Sequence, residues 1–259
     1  MGFFIKTTKR VYRKKLIDAT NMNLSSTDIV NEIHSKLATF IKAGITTKSI
    51  EDFIVDIIEK REGVAYFLGY RGYPCAISTS INNEIVYGLP SERCIKDGDL
   101  LKVEYGVLKD GVHAYRGWTY PIGDSDPRMI DLCRNASATL RLASNKAITG
   151  NKNTDISKVI QKSLTAGGYK PNLNYVGYRI GRQAHMEPSI PCFYKRFKNQ
   201  GVKLEQGIVI AIIVISHMGS SDIYFNEDGW VPLTKDNSCS VLFSHMVEVG
   251  ETARIITEA

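Results

Sequence analysis

Residues 101–120 read LKVEYGVLKDGVHAYRGWTY, and this stretch decides the fold. Leu101, Val103, Tyr105 and Val107 alternate with Lys102, Glu104 and Gly106, the period-two pattern of a strand with two unlike faces. Lys109-Asp110-Gly111 is a hairpin turn signal, because Asp-Gly accepts the left-handed backbone that a tight turn requires. The return strand is expected from Val112 to Tyr120, which sets Glu104 and Tyr115 facing each other across the hairpin.

Upstream, Ile29, Ile33, Leu37, Phe40 and Ile41 recur at helical spacing, as do Ile50, Phe53, Ile54 and Ile57 after a turn at Gly44. Thr47 and Ser49 are the expected caps of the second helix. Residues 65–81 are aromatic and glycine-rich and read as strand and loop. Asn82-Asn83 is a turn, and Glu84 to Tyr87 is expected as a strand. Downstream, helices are expected from Pro127 to about Thr149 and from Asp155 to Ala166, the latter closed by Gly167-Gly168. Ile208 to Ile215 is nearly all aliphatic, hence a strand buried on both faces. Strands are also expected at Val241–Val249 and Ala253–Ile256. The plan of two helices followed by strands occurs twice. It gives one α+β domain over 1–259: a helical segment 1–62, a first half to about 130 and a second half 131–259.

The bulk properties fit such a domain. The chain has 259 residues, 43% of them hydrophobic and 23% charged, with a net charge of +6. That excess is too small and too scattered to point to specific nucleic-acid binding. The tight basic run Lys9, Arg10, Arg13, Lys14 and Lys15 is expected on the polar face of a first helix. The cysteines (Cys75, Cys94, Cys133, Cys192, Cys239) are odd in number and widely spaced, as reduced thiols of a cytoplasmic protein are. Neither a signal peptide nor a membrane span is expected.

The stretch FLGYRGYPCAISTSINNEIVYGLP at 67–90 resembles the bacterial type of methionine aminopeptidase. The likeness continues through DGDLLKVEYGVLKDGVHAY, YVGYRIGRQAHMEPSIP, LEQGIVIAI, EDGW and FSHMVEV, in order and over essentially the whole chain. The resemblance implies the pita-bread fold, with two pseudo-symmetric halves around a curved antiparallel sheet. It also implies a monomer. In that family two divalent ions, held by carboxylates and one histidine, activate a bridging water. Carried over residue by residue, the five ligand positions fall on Glu104, Tyr115, Tyr178, Ile213 and Ser244. Only Glu104 remains a good ligand, so no metal and no other cofactor is expected. His113, His185, His217 and His245 are read as structural or pocket groups, not as a rebuilt metal site.

The resemblance further suggests what the vacated pocket contains. Glu104, Tyr87, Tyr115, Tyr178, Ser244 and His185 form a set that can donate and accept protons. A buried Glu104 without metal is expected to have a raised pKa. Phe67, Tyr70, Tyr73 and Trp230 stand at positions lining the family's methionine pocket, with Glu187 beside His185. Arg71 replaces a histidine and Arg179 a glycine, which suggests a substrate with an anionic group. Two readings follow. One is a metal-independent enzyme acting on a small amino-acid- or peptide-derived substrate. The other is a non-catalytic module that binds a peptide or protein.

Overall fold

The computed structural model describes residues 25–194, 201–227 and 229–257. The basic run at residues 9–15 lies outside them. Helix α1 (Ser25–Phe40) buries Ile29, Val30, Ile33 and Leu37 completely, the stripe that its periodicity predicts. Truncating any one of these to alanine is expected to cost about 2–5 kcal/mol. Helix α2 (Thr47–Lys60) buries Ile50, Ile54, Ile57 and Ile58. Its cap is Thr46, whose hydroxyl accepts from Ser49 N at 3.1 Å, not Thr47 or Ser49 as the sequence suggested. Thr47 instead exchanges hydrogen bonds with the backbone of Ser91, at 3.0 and 2.9 Å.

The first sheet comprises β1 (Val64–Ala65), β2 (Ile77–Ile81), β3 (Leu100–Lys109) and β4 (Val112–Pro121). Strand β3 lies between β4 on one side and β1 with β2 on the other, all antiparallel. The β3–β4 turn has positive φ at Asp110 (51°) and Gly111 (73°), as a tight two-residue hairpin needs. Glu104 is registered opposite Gly117, so Tyr115 reaches it diagonally on the same face. The expected strand at Glu84–Tyr87 does not form. Asn82 turns the chain at φ 51°, the Glu84 carboxylate bonds back to Ile81 N at 2.7 Å, and Tyr87 has φ 60°. The segment then lies so close to β2 that a Cβ on Gly88 would sit 2.0 Å from the Thr79 carbonyl oxygen.

Helix α3 (Pro127–Ser144) starts on an Asp126 cap and stops short of Thr149, because the chain tightens into overlapping turns at Lys146 and Ala147. Helix α4 (Asn153–Ala166) ends at Gly167. The second sheet comprises β5 (Lys170–Pro171), β6 (Val176–Ile180), β7 (Met186–Pro191), β8 (Val209–His217), β11 (Ser240–Glu248) and β12 (Arg254–Ile255). Its order is β12-β11-β8-β6-β7, with β5 also on β8 and every pairing antiparallel. Every residue of β8 is buried, as its aliphatic run requires. A small ribbon of β9 (Ile223–Phe225) and β10 (Pro232–Thr234) flanks the sheets. Helix α1 packs on β3 and β4, while α3 packs on β8 and β11.

The two sheets abut along β4 and β11, yet no backbone ladder joins these strands. Side chains do it instead. Gly117 N donates to Ser244 Oγ at 2.7 Å, and Ser244 Oγ donates back to Gly117 O at 3.1 Å. Thr119 Oγ1 accepts from Leu242 N and donates to Leu242 O, both at 2.8 Å. Tyr115 N points at Met246 Sδ, 3.1 Å away. No helix among the described residues is long and apolar enough to cross a membrane, and all five cysteines are unpaired.

Candidate functional site

A cavity of about 370 Å³ opens between the two sheets. Strands β3 and β4 supply Glu104 and Tyr115, and the loop before β2 supplies Tyr66, Phe67, Tyr70, Arg71 and Tyr73. The second half supplies Tyr178 from β6, Ile213 and Ile215 from β8, Leu242 from β11, and His185 and Trp230 from loops.

Glu104 is only 6% exposed. Tyr115 Oη donates to its Oε2 at 2.7 Å, Ser78 Oγ to its Oε1 at 3.3 Å, and the Tyr87 backbone N–H also bonds to it. Burial pushes its pKa up to about 7, while these donors act in the opposite direction. Burial also raises the phenols, Tyr87 to about 12 and Tyr115 and Tyr178 well above the ordinary tyrosine value. At neutral pH they are uncharged hydroxyl groups. His185 Nδ1 lies 2.9 Å from Tyr70 Oη, and its ring centroid is 3.9 Å from that of Tyr178. His185 is exposed to solvent on one side, and its partial desolvation against the cavity wall, then the Arg71 charge, lowers its pKa to about 4, so the imidazole is neutral at pH 7.

Tyr73 is fixed with its hydroxyl 3.1 Å from Ile77 O and 3.0 Å from Gly88 O, and its ring meets Trp230 edge-on at 5.4 Å. Phe67 lies parallel to Tyr115 at 6.3 Å. Arg71 is exposed at the cavity mouth, its guanidinium over the Tyr70 ring.

Three of the residues expected at the site lie outside the cavity lining. Ser244 is 1% exposed and its hydroxyl bonds to Gly117 in the seam. Arg179 follows Tyr178 on β6, and strand alternation turns it to the other face. Glu187 is exposed and accepts from Ser189 N at 2.8 Å. The other histidines are also elsewhere. His113 bonds Gly181 O, His217 bonds Asn172, and His245 packs near Trp118 on the face away from the cavity.

The sequence reading missed Tyr66 and Tyr175. The ring of Tyr66 fills the space above Gly106, where a Cβ would come within 2.1 Å of it. A glycine in the middle of a well-patterned strand is itself the available signal, since it marks a close approach. Tyr175 stands edge-on to Tyr87 at 5.6 Å.

Two antiparallel half-sheets, each backed by a helix pair and facing a shared central cavity, define the architecture. Residues 24–251 match the sequence profile of metallopeptidase family M24, and the chain belongs to that family. Within it the relatives are methionine aminopeptidases. The enzyme of Aquifex aeolicus is 33% identical over 238 residues, which cover 89% of this chain and 92% of that one. Methionine aminopeptidase 1 of Bacillus subtilis is 31% identical, covering 86% and 90%. Among solved structures, the methionine aminopeptidase of Thermotoga maritima superposes with a TM-score of 0.88 at 29% identity, covering 93% of this chain and 96% of that one. The Xaa-Pro dipeptidase of Bacillus anthracis shares the fold, with a TM-score of 0.71 at 14% identity and coverage of 90% and 59%. The fold is the pita-bread fold.

Proposed function

We propose that this chain is a metal-independent, acid–base enzyme acting on a small amino-acid- or peptide-derived substrate in the pocket it shares with its aminopeptidase relatives. The observation that carries this reading is Glu104: a buried carboxylate whose pKa burial pushes up to about 7, bonded to a neutral phenol, with the cavity's Arg71 out at the mouth. A group with that pKa takes and returns a proton at physiological pH.

The side chains do not fit the family's pair of divalent ions. Hard cations need several anionic oxygens or imidazoles converging on one point. Among the described residues Glu104 is the one carboxylate lining the cavity, Ile213 offers no donor, and the Ser244 hydroxyl is engaged by Gly117. Among the described residues, no group of three or more His, Cys, Asp or Glu is arranged to hold a metal.

In this reading Glu104 is the general base or acid, and Tyr115 holds it in place. The hydroxyls of Tyr87, Tyr115 and Tyr178 donate to developing negative charge. Neutral His185 orients the substrate, and Arg71 at the mouth meets an anionic group on it. The protein works as a cytoplasmic monomer. A non-catalytic module that binds peptide amino termini is the second reading. It is favoured by the number of aromatic walls and by the absence of a convergent nucleophile among the lining residues.

The test combines native mass spectrometry of the purified chain with turnover of amino-acid and peptide amides in the presence of a chelator. Metal-free protein with chelator-resistant turnover, abolished in Glu104→Gln and His185→Ala, supports the enzyme. Two bound divalent ions with chelator-sensitive hydrolysis of methionyl peptides overturn the metal-independent reading. Substrate binding without turnover supports the second.

A further inference from the structure

The cavity has a chemical bias that acid–base catalysis does not explain. Its deep end holds one carboxylate, and the groups bonded to that carboxylate are neutral: the Tyr115 and Ser78 hydroxyls and the Tyr87 N–H. The cationic side chains nearby are directed elsewhere. Arg71 is exposed at the mouth, and the Lys102 ammonium sits 2.8 Å from both Asn82 O and Ser240 O. His185 pairs with Tyr70.

Around Glu104 the cavity is lined by rings, from buried Tyr73, Tyr115 and Tyr178 out to Tyr87, which is 39% exposed. Tyr178 lies 6.1 Å from Tyr115, Tyr73 lies 6.2 Å from Tyr87, and Trp230 closes on Tyr73. The face of an aromatic ring carries partial negative charge. Such a wall disfavours an anion at depth, and a neutral ligand would leave the ionised form of Glu104 without a counter-charge. A small inorganic cation would give up its water for rings and too few oxygens. An organic ammonium carrying alkyl groups satisfies all three constraints. Its charge pairs with Glu104, its substituents lie against the rings and against Ile213 and Leu242, and it is weakly hydrated to begin with.

We propose that the deep end of this cavity binds an alkylated organic ammonium cation, with Glu104 as its counter-charge and the rings of Tyr73, Tyr87, Tyr115, Tyr178 and Trp230 as its cage. The inference rests on the reading that this cavity is the working site, and it names the substrate class. With Arg71 at the mouth, the ligand carries its cationic end inward and its anionic end outward.

The experiment is isothermal titration of the full chain with choline and with its uncharged tert-butyl isostere, followed in parallel by Trp230 fluorescence. Choline is expected to bind at least about tenfold more tightly than the isostere. Glu104→Gln is expected to remove that preference while isostere binding stays unchanged. A second variant, Tyr73→Leu, weakens choline more than the isostere, and thermal melting confirms that each variant is folded. Equal binding of the two probes, binding of neither, or a full choline preference in Glu104→Gln overturns the proposal. These readouts report occupancy and not turnover. A protein that binds choline through Glu104 yet converts no substrate sinks the enzyme reading alone. Turnover that depends on Glu104 without cation preference sinks this inference alone.

Discussion

The two halves of the molecule share a plan but contribute to the central cavity in opposite ways. In the first half, Glu104 and Tyr115 stay in the cavity, joined by a 2.7 Å hydrogen bond. In the second, Ile213 presents a hydrocarbon surface, Tyr178 an aromatic ring, and Ser244 lies in the seam. The cavity's carboxylate is therefore on β3, bonded to a phenol on β4, whereas β6, β8 and β11 provide shape and the join. One half of the cavity thus holds its carboxylate while the other half supplies wall and support.

The sharpest way to break this division is Glu104→Gln. Turnover is expected to fall by roughly 10²–10⁴-fold, as loss of a general base does. Stability should move the other way. The folded pKa of Glu104, about 7, lies above its unfolded value of 4.5, so the wild type loses stability as pH rises between those values. Glu104→Gln removes that loss and gains up to roughly 3 kcal/mol at pH 8 and nothing below pH 4. Denaturant melts at the two pH values check the sign.

The buried histidines predict the opposite slope. Burial, with Arg116 nearby, lowers His34 and His245 to about 3, and burial with Lys102 lowers His217 to about 4. Their unfolded value is near 6.5, so the neutral forms stabilise the fold above that pH. The contribution is lost as pH falls from 6.5 toward 4, by several kcal/mol in total. Melts from pH 7 to 4 should show this steep loss, and Glu104→Gln should leave it in place.

Ser244→Ala tests the supporting half. It leaves the buried Gly117 N–H without its acceptor and is expected to cost about 1–3 kcal/mol. Ligand affinity stays the same, because the residue does not line the cavity. An affinity loss larger than the stability loss would return Ser244 to the site. The smallest effect belongs to Arg71→Ala at the mouth. An anionic substrate should bind roughly threefold to tenfold more weakly, with stability unchanged within about 0.5 kcal/mol.

How much of this the sequence disclosed depended on what kind of fact was sought. The hairpin was legible because alternation and an Asp-Gly turn are local signals, and β8 because a run of aliphatic residues has few other fates. Glu104 and Tyr115 could be brought to one face because the hairpin fixes which residues share it, although the register sets Glu104 opposite Gly117 and Tyr115 reaches it on the diagonal. The destination of Ser244 was not legible. Its position in β11 tells which way its Cβ points, but its partner is set by how far β4 stands from β11, a tertiary distance. Glu84–Tyr87 misled because its apolar residues suit a strand, while the deciding bond, from Ile81 N to the Glu84 carboxylate, lies outside that pattern.

The seam between β4 and β11 has a further consequence. Where neighbouring strands are held by main-chain groups, every residue but proline carries the adhesive, and substitutions drift through the junction unnoticed. Here the hydroxyls of Thr119 and Ser244 do that work, so the junction of β4 with β11 is inherited through side chains, while main-chain bonds such as Ser240 N to Asn82 O and His113 N to Gly181 O tie the halves at other points. Mutational tolerance should therefore follow the midline of the molecule: permissive along the ladders within each sheet, and strict at the codons for Thr119 and Ser244.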